Sequence, residues 1–328
     1  MPKLKLVAGV VLASLAYGPH SSFAGAQSLT ESQRAAVWLS GVRVNANVTY
    51  STQSNVDLKL DVYRPRLAPG QAGPGGPYPV VVEIHGGGWI AGTKEGSIMT
   101  LMPWLERGWA AVNVEYRLGR VAPAPAAVED SRCALRWVAR NAKNYGFDPS
   151  RIVVTGGSAG GHLALTTGML RAADGLDYEC AGNKFDTWAG PQPEPEPKVA
   201  AIVNWFGIAD VPAMLAGDET RGYAVEWLGS AGGDPVARAI TAKRVSPMSY
   251  VRAGTAPIIT IHGDNDTLVP YAQSVRLHQA LTKAGVPNKL VTIPGGGHGG
   301  FTVDQDITAY TAIFDFLAAQ KLLEAGRP

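Results

Sequence analysis

One turn in this 328-residue chain constrains its fold more than any other feature, and it lies within RIVVTGGSAGGH at 151–162. The β-branched residues 152–154 predict a buried strand, and a helical pattern follows the turn at once. Between them, G-x-S-x-G matches a strand-turn-helix motif that projects the Ser158 hydroxyl above a sheet. Side chains two positions before and after this serine would collide in so tight a turn, so glycine is expected there, and Gly156 and Gly160 occupy these positions. We interpret Ser158 as a nucleophile; the alternative is a glycine-rich turn whose serine only caps the helix.

Strand and helix patterns alternate along the chain, which predicts an α/β fold with a mostly parallel, doubly wound sheet and helices on both faces. Near the start, segments 42–50 and 58–63 alternate apolar and polar residues around a polar turn. They predict an antiparallel hairpin at the N-terminal edge of the sheet. Further strands are predicted at 80–84, 110–116, 199–206, 257–261 and 289–293, and helices at 98–107, 128–144, 162–173, 271–284 and 304–323.

The N-terminal segment 1–26 has the pattern of a signal peptide. It has a basic start, an apolar core at 6–16 and an A-x-A cleavage site, which predicts Gln27 as the mature N-terminus. The apolar core is too short to span a membrane. We therefore expect a secreted or periplasmic protein whose residues 27–328 form a single domain. The alternatives for the leader are an uncleaved anchor and a buried helix.

Charge and motif content argue against several function classes. Loss of Lys3 and Lys5 with the leader leaves 27 of 29 basic residues against 27 acidic ones, so nothing indicates nucleic acid or membrane as a partner. The sequence has no H-E-x-x-H motif and no Cys/His cluster. The glycines at 295–300 resemble a dinucleotide fingerprint, but no strand follows their helix. We expect no metal and no cofactor.

The chain contains two cysteines, Cys133 and Cys180. An exported protein meets an oxidising compartment, where an even number of cysteines favours a disulfide. We therefore predict a Cys133–Cys180 bridge; the alternative is two buried thiols.

A serine nucleophile needs a base, and the base needs an orienting acid. Chains with this turn carry the three in the order serine, acid, histidine. Elimination favours His298 in the loop after the last strand, because the other histidines lie in the leader, before Ser158, within helices or at a strand end. Those five are His20, His85, His162, His262 and His278. The acid is expected after the preceding strand, where the spacing fits both Asp264 and Asp266.

The third requirement is a set of N–H donors for the oxyanion that forms during acyl transfer. The HGGG loop at 85–88 follows a predicted strand, as such loops do in this class of turn. We expect the backbone N–H groups of Gly87, Gly88 and Ala159 to form this oxyanion hole. The alternative is a flexible loop at the end of a strand.

Aromatic residues beside these motifs are candidates for a substrate pocket. They are Trp89, after the glycine loop, and Trp205 with Phe206, at a strand end; the alternative is that they only pack the core. Two segments have no regular pattern. The proline-rich segment 177–198 is predicted as a surface loop, and 210–250 as an irregular insertion that forms a partial lid. The lid's glycines and charges make it a poor apolar surface for lipid.

Taken together, the motifs resemble those of α/β-hydrolase esterases and lipases related to hormone-sensitive lipase, and among them bacterial feruloyl and acetylxylan esterase-like carboxylesterases. Their H-G-x-x-D pattern implies Asp266 as the acid and Asp264 as its support. The segments 186–198 and 210–250 depart from the family, so the resemblance constrains the substrate less than it constrains the fold and the catalytic residues. The motifs are HGGGW at 85–89, EYRL at 115–118, DPSRIVVTGGSAGGHLA at 148–164, WFGIAD at 205–210, SPMSYV at 246–251, HGDNDTLVP at 262–270 and GGGHGGF at 295–301.

This resemblance implies a serine carboxylic-ester hydrolase that works through an acyl-enzyme without metal or cofactor. The expected substrates are small-molecule or polysaccharide-linked esters with short-chain or hydroxycinnamoyl groups, such as the acetyl or feruloyl groups of plant polysaccharide. The alternatives are an arylformamidase or other amide hydrolase, a lipase, and a catalytically silent binding protein on the same fold. The sequence does not indicate the oligomeric state.

Overall fold

The computed structural model describes residues 41–68, 70–178, 180, 196–216, 221–229 and 234–323. These residues belong to one unit that spans 40–328. The predicted signal peptide at 1–26 and most of the proline-rich segment 177–198 lie outside the described residues, and so do two parts of the predicted insertion 210–250.

One eight-stranded sheet forms the centre of the described fold. Its strand order is β1-β2-β4-β3-β5-β6-β7-β8, and every neighbouring pair from β4 to β8 is parallel, as predicted. The strands are β1 Val42–Gln53, β2 Val56–Pro65, β3 Tyr78–Ile84, β4 Ala110–Val114, β5 Phe147–Gly157, β6 Val199–Trp205, β7 Ile258–Gly263 and β8 Asn288–Ile293.

The predicted hairpin forms the edge of the sheet. Strands β1 and β2 pair antiparallel, and β2 also pairs antiparallel with β4. The strands run further than predicted, since only Ser54 and Asn55 separate them. Both residues have positive φ, 50° and 62°. This backbone conformation is typical of two-residue hairpin turns, whose twist matches that of the flanking strands.

The sheet is covered on both faces. All of residues 80–84 in β3 are buried, and successive side chains of a strand point to opposite faces. Helix α4 packs on β5 and β6, α2 packs on α4, and α7 and α8 pack on β8. The helices are α1 Met102–Leu105, α2 Ala126–Arg140, α3 Ala142–Tyr145, α4 Ala159–Met169, α5 Gly222–Trp227, α6 Pro235–Arg244, α7 Ala272–Lys283 and α8 Val303–Ala319, with 3-10 turns at Lys94–Leu101, Ala172–Asp174, Pro212–Leu215 and Pro247–Tyr250.

One predicted helix differs from the structure. The segment 98–107 was expected to be a single helix, but it is the end of a 3-10 turn followed by the short helix α1. Pro103 explains the break, because proline has no N–H to continue the hydrogen-bond ladder and is tolerated only in the first turn.

The predicted disulfide between Cys133 and Cys180 is present, with a Cα–Cα distance of 4.9 Å. Beside it, buried Arg132 of α2 bonds the carboxylates of Asp177 and Glu196. Asp177 and Cys180 lie near the start of segment 177–198 and Glu196 lies near its end, so the bridge and the ion pairs attach both ends of this segment to α2. Within the described residues, no helix is both long enough and apolar enough to cross a membrane.

Candidate active site

Ser158 stands on the tight turn between β5 and α4. Its φ and ψ are 58° and −122°, a strained backbone for a residue other than glycine. A Cβ atom on Gly156 would lie 2.6 Å from the carbonyl carbon of Gly160. The steric reason predicted for these two glycines is therefore confirmed, and the turn raises the Ser158 side chain at the carboxyl end of the sheet.

His298 reaches this serine from the loop after β8. Its Nε2 atom lies 2.8 Å from Ser158 Oγ, and its Nδ1 atom lies 2.7 Å from Oδ2 of Asp266. The ring is packed edge-on against Phe206, with ring centroids 4.8 Å apart. The structure thus brings together the three residues that the sequence selected as nucleophile, base and acid, although they are up to 140 positions apart.

Asp266 is held as an ionised carboxylate. Burial opposes its charge, but hydrogen bonds from His262, His298 and the backbone N–H of Val269 outweigh burial and lower the pKa of Asp266 below its usual range. Asp264 has another role, since its Oδ1 atom accepts a hydrogen bond from the N–H of Gly295. Of the two candidates, Asp266 contacts His298 and Asp264 supports the turn.

His262 is a site residue that sequence reasoning missed as a partner of the acid. It is fully buried, and its Nε2 atom lies 3.1 Å from both Oδ2 of Asp266 and the carbonyl oxygen of Val269. Its Nδ1 atom lies 2.6 Å from Oγ of Ser274 on α7. Two acceptors at Nε2 favour a proton there, so His262 donates to Asp266 and accepts from Ser274. The spacing of four residues from His262 to Asp266 was the available signal.

The glycine loop after β3 lies directly beside Ser158. A Cβ atom on Gly86 would be 3.5 Å from the Cβ atom of Ser158. Gly87 and Gly88 have φ of 114° and 61°, and a Cβ on Gly87 would lie 2.0 Å from the carbonyl oxygen of Ala91. Ala159 begins α4, so its N–H has no carbonyl partner within the helix. The loop and the helix start therefore present bare backbone beside Ser158.

His85, the first residue of this loop, holds the loop in place through contacts with Glu115 and Tyr116. Its ring stacks on Tyr116 with centroids 4.2 Å apart, and its Nε2 atom lies 3.1 Å from Oε1 of Glu115. Glu115 also accepts a hydrogen bond from the N–H of Lys94. These contacts give a structural role to the histidine that chain order had excluded as the base.

Trp205 and Phe206 line a cavity of about 380 Å³, together with Gly157, which precedes Ser158, and Gly299, which follows His298. This is the size of a small-ligand cleft. The two aromatic residues thus stand where a substrate pocket was expected.

Trp89 does not line this cavity, contrary to the sequence expectation. Its side chain is fully buried and stacks on Trp227 with centroids 4.1 Å apart, while its Nε1–H donates to Nδ1 of His162. A positive φ of 62° at Trp89 accounts for the difference, because the chain reverses there and the indole enters the core.

The described part of the insertion 210–250 closes one side of the site. A Cβ atom on Gly88 would lie 3.1 Å from the Cβ atom of Tyr223, at the start of α5. The Tyr223 hydroxyl donates to the carbonyl oxygen of Leu268, two residues after Asp266. Helix α5 therefore connects the glycine loop to the loop that carries the acid.

Such an arrangement has the parts for acyl transfer: a hydroxyl nucleophile, an imidazole within hydrogen-bond distance, an ionised carboxylate behind it and backbone donors beside it. Within the part of the chain that the structure describes, no three His, Cys, Asp or Glu side chains are grouped so that they could hold a metal ion.

Comparisons with known proteins agree with this geometry. The BD-FAE family model matches residues 60–281, about two thirds of the chain, and a model described as TAP-like protein matches residues 236–327. Esterase LipQ of Mycobacterium tuberculosis is 30% identical over 271 residues, which cover 79% of this chain and 58% of LipQ. LipM of the same organism, a probable carboxylic ester hydrolase, is 32% identical over 209 residues, 61% of this chain and 44% of LipM. The chain spans about half the length of these curated relatives.

Solved esterase structures are similar over a larger share of their own chains. A truncated carbohydrate esterase from gut microbiota has a TM-score of 0.69 and 29% identity, covering 85% of this chain and 96% of that one. The apo form of Thermogutta terrifontis esterase 2 has a TM-score of 0.65 and 28% identity, covering 87% and 96%. These similarities support carboxylic ester hydrolysis as the reaction class.

Proposed function

The chain belongs to the BD-FAE family of α/β-hydrolases, and we propose that it is a serine esterase that cleaves carboxylic esters through an acyl-enzyme on Ser158. The hydrogen bonds that join Ser158 Oγ to His298 and His298 to Asp266, at 2.8 and 2.7 Å, carry this proposal. Each group stands within reach of the proton that it has to move or stabilise.

In the first half of the reaction, Ser158 Oγ attacks the ester carbonyl carbon while His298 Nε2 takes the hydroxyl proton. The carbonyl oxygen becomes an oxyanion, and N–H donors from Gly87, Gly88 and Ala159 stabilise it; one such donor contributes roughly 3 kcal/mol. Collapse of the tetrahedral intermediate breaks the bond to the leaving alcohol, which receives the proton from His298 Nε2.

In the second half, water replaces the alcohol and the acyl group leaves as an acid. His298 takes a proton from the water, whose oxygen attacks the acyl carbon, and then returns the proton to Ser158 Oγ. Throughout the reaction, the Asp266 carboxylate accepts the hydrogen bond from Nδ1–H of His298 and stabilises the imidazolium. Because its carboxylate accepts four hydrogen bonds, it remains charged and does not take the proton itself.

The substrates that we propose carry compact acyl groups, from acetyl to butyryl, or hydroxycinnamoyl groups, and include the acetyl or feruloyl esters of plant polysaccharide. The aromatic cavity beside Ser158 supports this, since Trp205 and Phe206 offer faces for a flat ring or a sugar. Thermogutta terrifontis esterase 2 has been solved with propionate and with butyrate bound. A related structure is that of a carbohydrate esterase.

Export from the cytoplasm is part of the proposal, with residues 1–26 removed and Gln27 as the first residue. The disulfide between Cys133 and Cys180 supports an oxidising compartment. The protein would then meet small or polysaccharide-linked esters outside the cytoplasm.

The proposed function can be tested with purified mature protein by measuring kcat/KM on p-nitrophenyl esters from acetate to palmitate and on a matched anilide. Release of acetyl groups or ferulate from xylan is measured in parallel. We expect a maximum between acetate and butyrate, release from xylan, and slower anilide than ester cleavage. A maximum at decanoate or longer without release from xylan would indicate a lipase, and a faster anilide would indicate an amidase. Absence of turnover would indicate a binding protein.

A further inference from the structure

The cavity beside Ser158 has an acidic end that the ester chemistry does not use. At that end lie Glu83 of β3 with Asp306 and Tyr310 of α8. No Lys, Arg or His is among the described residues that line the cavity. Two carboxyl groups therefore face a partly apolar cleft without a basic side chain in its lining.

Glu83 is the more deeply buried of the two carboxyl groups, with 4% of the residue exposed. Burial raises the pKa of Glu83 to about 8, so the group is mainly protonated at neutral pH. Thr100 lines the same cavity, and its hydroxyl donates to the carbonyl oxygen of Ser97. A protonated carboxyl group has one donor and several acceptor positions, so capacity remains for a further partner.

A second polar group is buried beside it. Thr155 of β5 pairs in register with Glu83, and register partners on neighbouring strands point to the same face of the sheet. The Thr155 hydroxyl is buried and has no hydrogen-bond partner among the described residues. Buried polar atoms are nearly always bonded, so this side of the sheet has unused hydrogen-bonding capacity.

Between Ser158 and this polar end, the walls are aromatic. The Trp205 and Tyr310 rings lie 5.1 Å apart, and the Phe206 and Phe301 rings lie 5.9 Å apart. Such a cleft suits a flat or ring-shaped group that is apolar along its faces and polar at its far end.

We propose that Glu83 determines specificity: its buried carboxyl group, at the polar end of the cavity, hydrogen-bonds a hydroxyl on the part of the ester that fills the cavity. The inference rests on the proposed esterase function and adds a preference that the catalytic residues do not supply. It favours hydroxylated groups over unsubstituted rings of the same shape. It disfavours substrates that end in a carboxylate, which would meet the Asp306 carboxylate while no basic side chain is present among the described lining residues.

The test compares two pairs of esters that differ in hydroxyl groups at the far end. Methyl 4-hydroxycinnamate and methyl cinnamate carry or lack a phenol in the acyl group. Monoacetylated methyl xyloside and cyclohexyl acetate carry or lack sugar hydroxyls in the alcohol. The readout is the ratio of kcat/KM within each pair, because intrinsic reactivity differences cancel when variants are compared.

Glu83→Leu removes the hydrogen-bonding group, and Glu83→Gln keeps a neutral one of similar shape. We expect Glu83→Leu to lower the ratio by roughly 10-fold in at least one pair, and Glu83→Gln to retain most of it. Asp304→Asn, an exposed carboxylate on the same helix as Asp306, is the control that leaves the ratio unchanged.

Loss of preference in the cinnamate pair assigns the hydroxyl to a phenolic acyl group, and loss in the acetate pair assigns it to a sugar. Equal ratios in both pairs for active wild-type protein and Glu83→Leu would overturn the role of Glu83 and leave the esterase function standing. Wild-type protein that cleaves none of the four esters, nor p-nitrophenyl acetate, would overturn both.

Discussion

The Nε2 atom of His262 lies 3.1 Å from Oδ2 of Asp266, the carboxylate oxygen that also receives Nδ1 of His298 at 2.7 Å. Two imidazoles thus approach a single oxygen, the partly exposed ring of His298 and the fully buried ring of His262. The Oδ1 atom accepts the backbone N–H groups of Leu268 and Val269. His262 therefore acts as a positioning residue that fixes the carboxylate plane toward His298.

We predict that His262→Ala lowers kcat by about 10- to 100-fold with little change in KM, the effect of losing one hydrogen bond to an ionised group. His262→Gln, which restores an N–H donor, is expected to recover part of the loss. His278→Gln is the control, because His278 is bonded to Asn288 away from the site. The positioning role would be contradicted if His262→Ala and His278→Gln lost kcat equally, or if His262→Ala raised KM and left kcat unchanged.

Ser158→Ala and His298→Ala should each lower kcat by roughly 10⁴-fold or more, because triad residues act as a unit. Asp266→Asn should cost about 10³- to 10⁴-fold, since the amide cannot stabilise the imidazolium. Asp264→Asn should be milder, because the Asp264 side chain bonds the backbone N–H of Gly295, whereas Asp266 bonds the His298 ring. Steady-state kinetics with circular dichroism as a folding check measure this; a larger loss for Asp264→Asn would reverse the assignment of the acid.

Acid should destabilise the protein through His162. Burial lowers the pKa of His162 to about 4, although a hydrogen bond to the Val245 carbonyl opposes the change. The unfolded chain takes up a proton near pH 6.5, so the stability from this group is fully present above pH 6.5 and is lost as the pH falls toward 4.

Urea unfolding of wild type and His162→Gln between pH 7 and pH 4 measures this effect. We expect the variant to be less stable at pH 7 and to show a shallower decline with acid. Parallel declines in the two proteins would show that another group carries the pH dependence.

Removal of the disulfide by the double substitution Cys133→Ala with Cys180→Ala should lower the free energy of unfolding by about 2–4 kcal/mol. Esterase kinetics below the melting transition should change little, because the bridge joins α2 to the segment after α4, and neither of these carries Ser158, Asp266 or His298. Thiol titration of non-reduced exported protein that finds two free thiols would contradict the bridge.

Export predicts that protein recovered from the periplasm or culture fluid begins at Gln27. N-terminal sequencing of that fraction decides the matter. An intact Met1 there would remove the signal-peptide interpretation.

Much of this fold follows from local sequence signals. The parallel strands were predicted because strand and helix patterns alternate along the chain. Ser158 was selected because it lies between a strand and a helix, with Gly156 and Gly160 two positions to either side, where a Cβ atom would clash. Chain order then selected His298. Each of these signals lies within a few neighbouring residues or in the order of residues along the chain, so it can be recognised from the sequence alone.

Other features depend on contacts between distant residues. Trp89 faces the core because Trp227 and His162 provide partners 138 and 73 positions away, which no local pattern reveals. Spacing alone could not distinguish the roles of Asp264 and Asp266, because these roles depend on which carboxylate contacts His298 in the folded chain. His262 was excluded as a base by chain order, and only the folded loop shows that it bonds the acid.

Labelling with paraoxon tests whether Ser158 is the nucleophile; Thermogutta terrifontis esterase 2 has been solved phosphorylated by this compound. We predict that one phosphoryl group per chain maps to the peptide containing Ser158, that esterase activity falls in proportion to labelling, and that Ser158→Ala takes up none. Stoichiometric label on another residue, or full inactivation without label at Ser158, would contradict the mechanism.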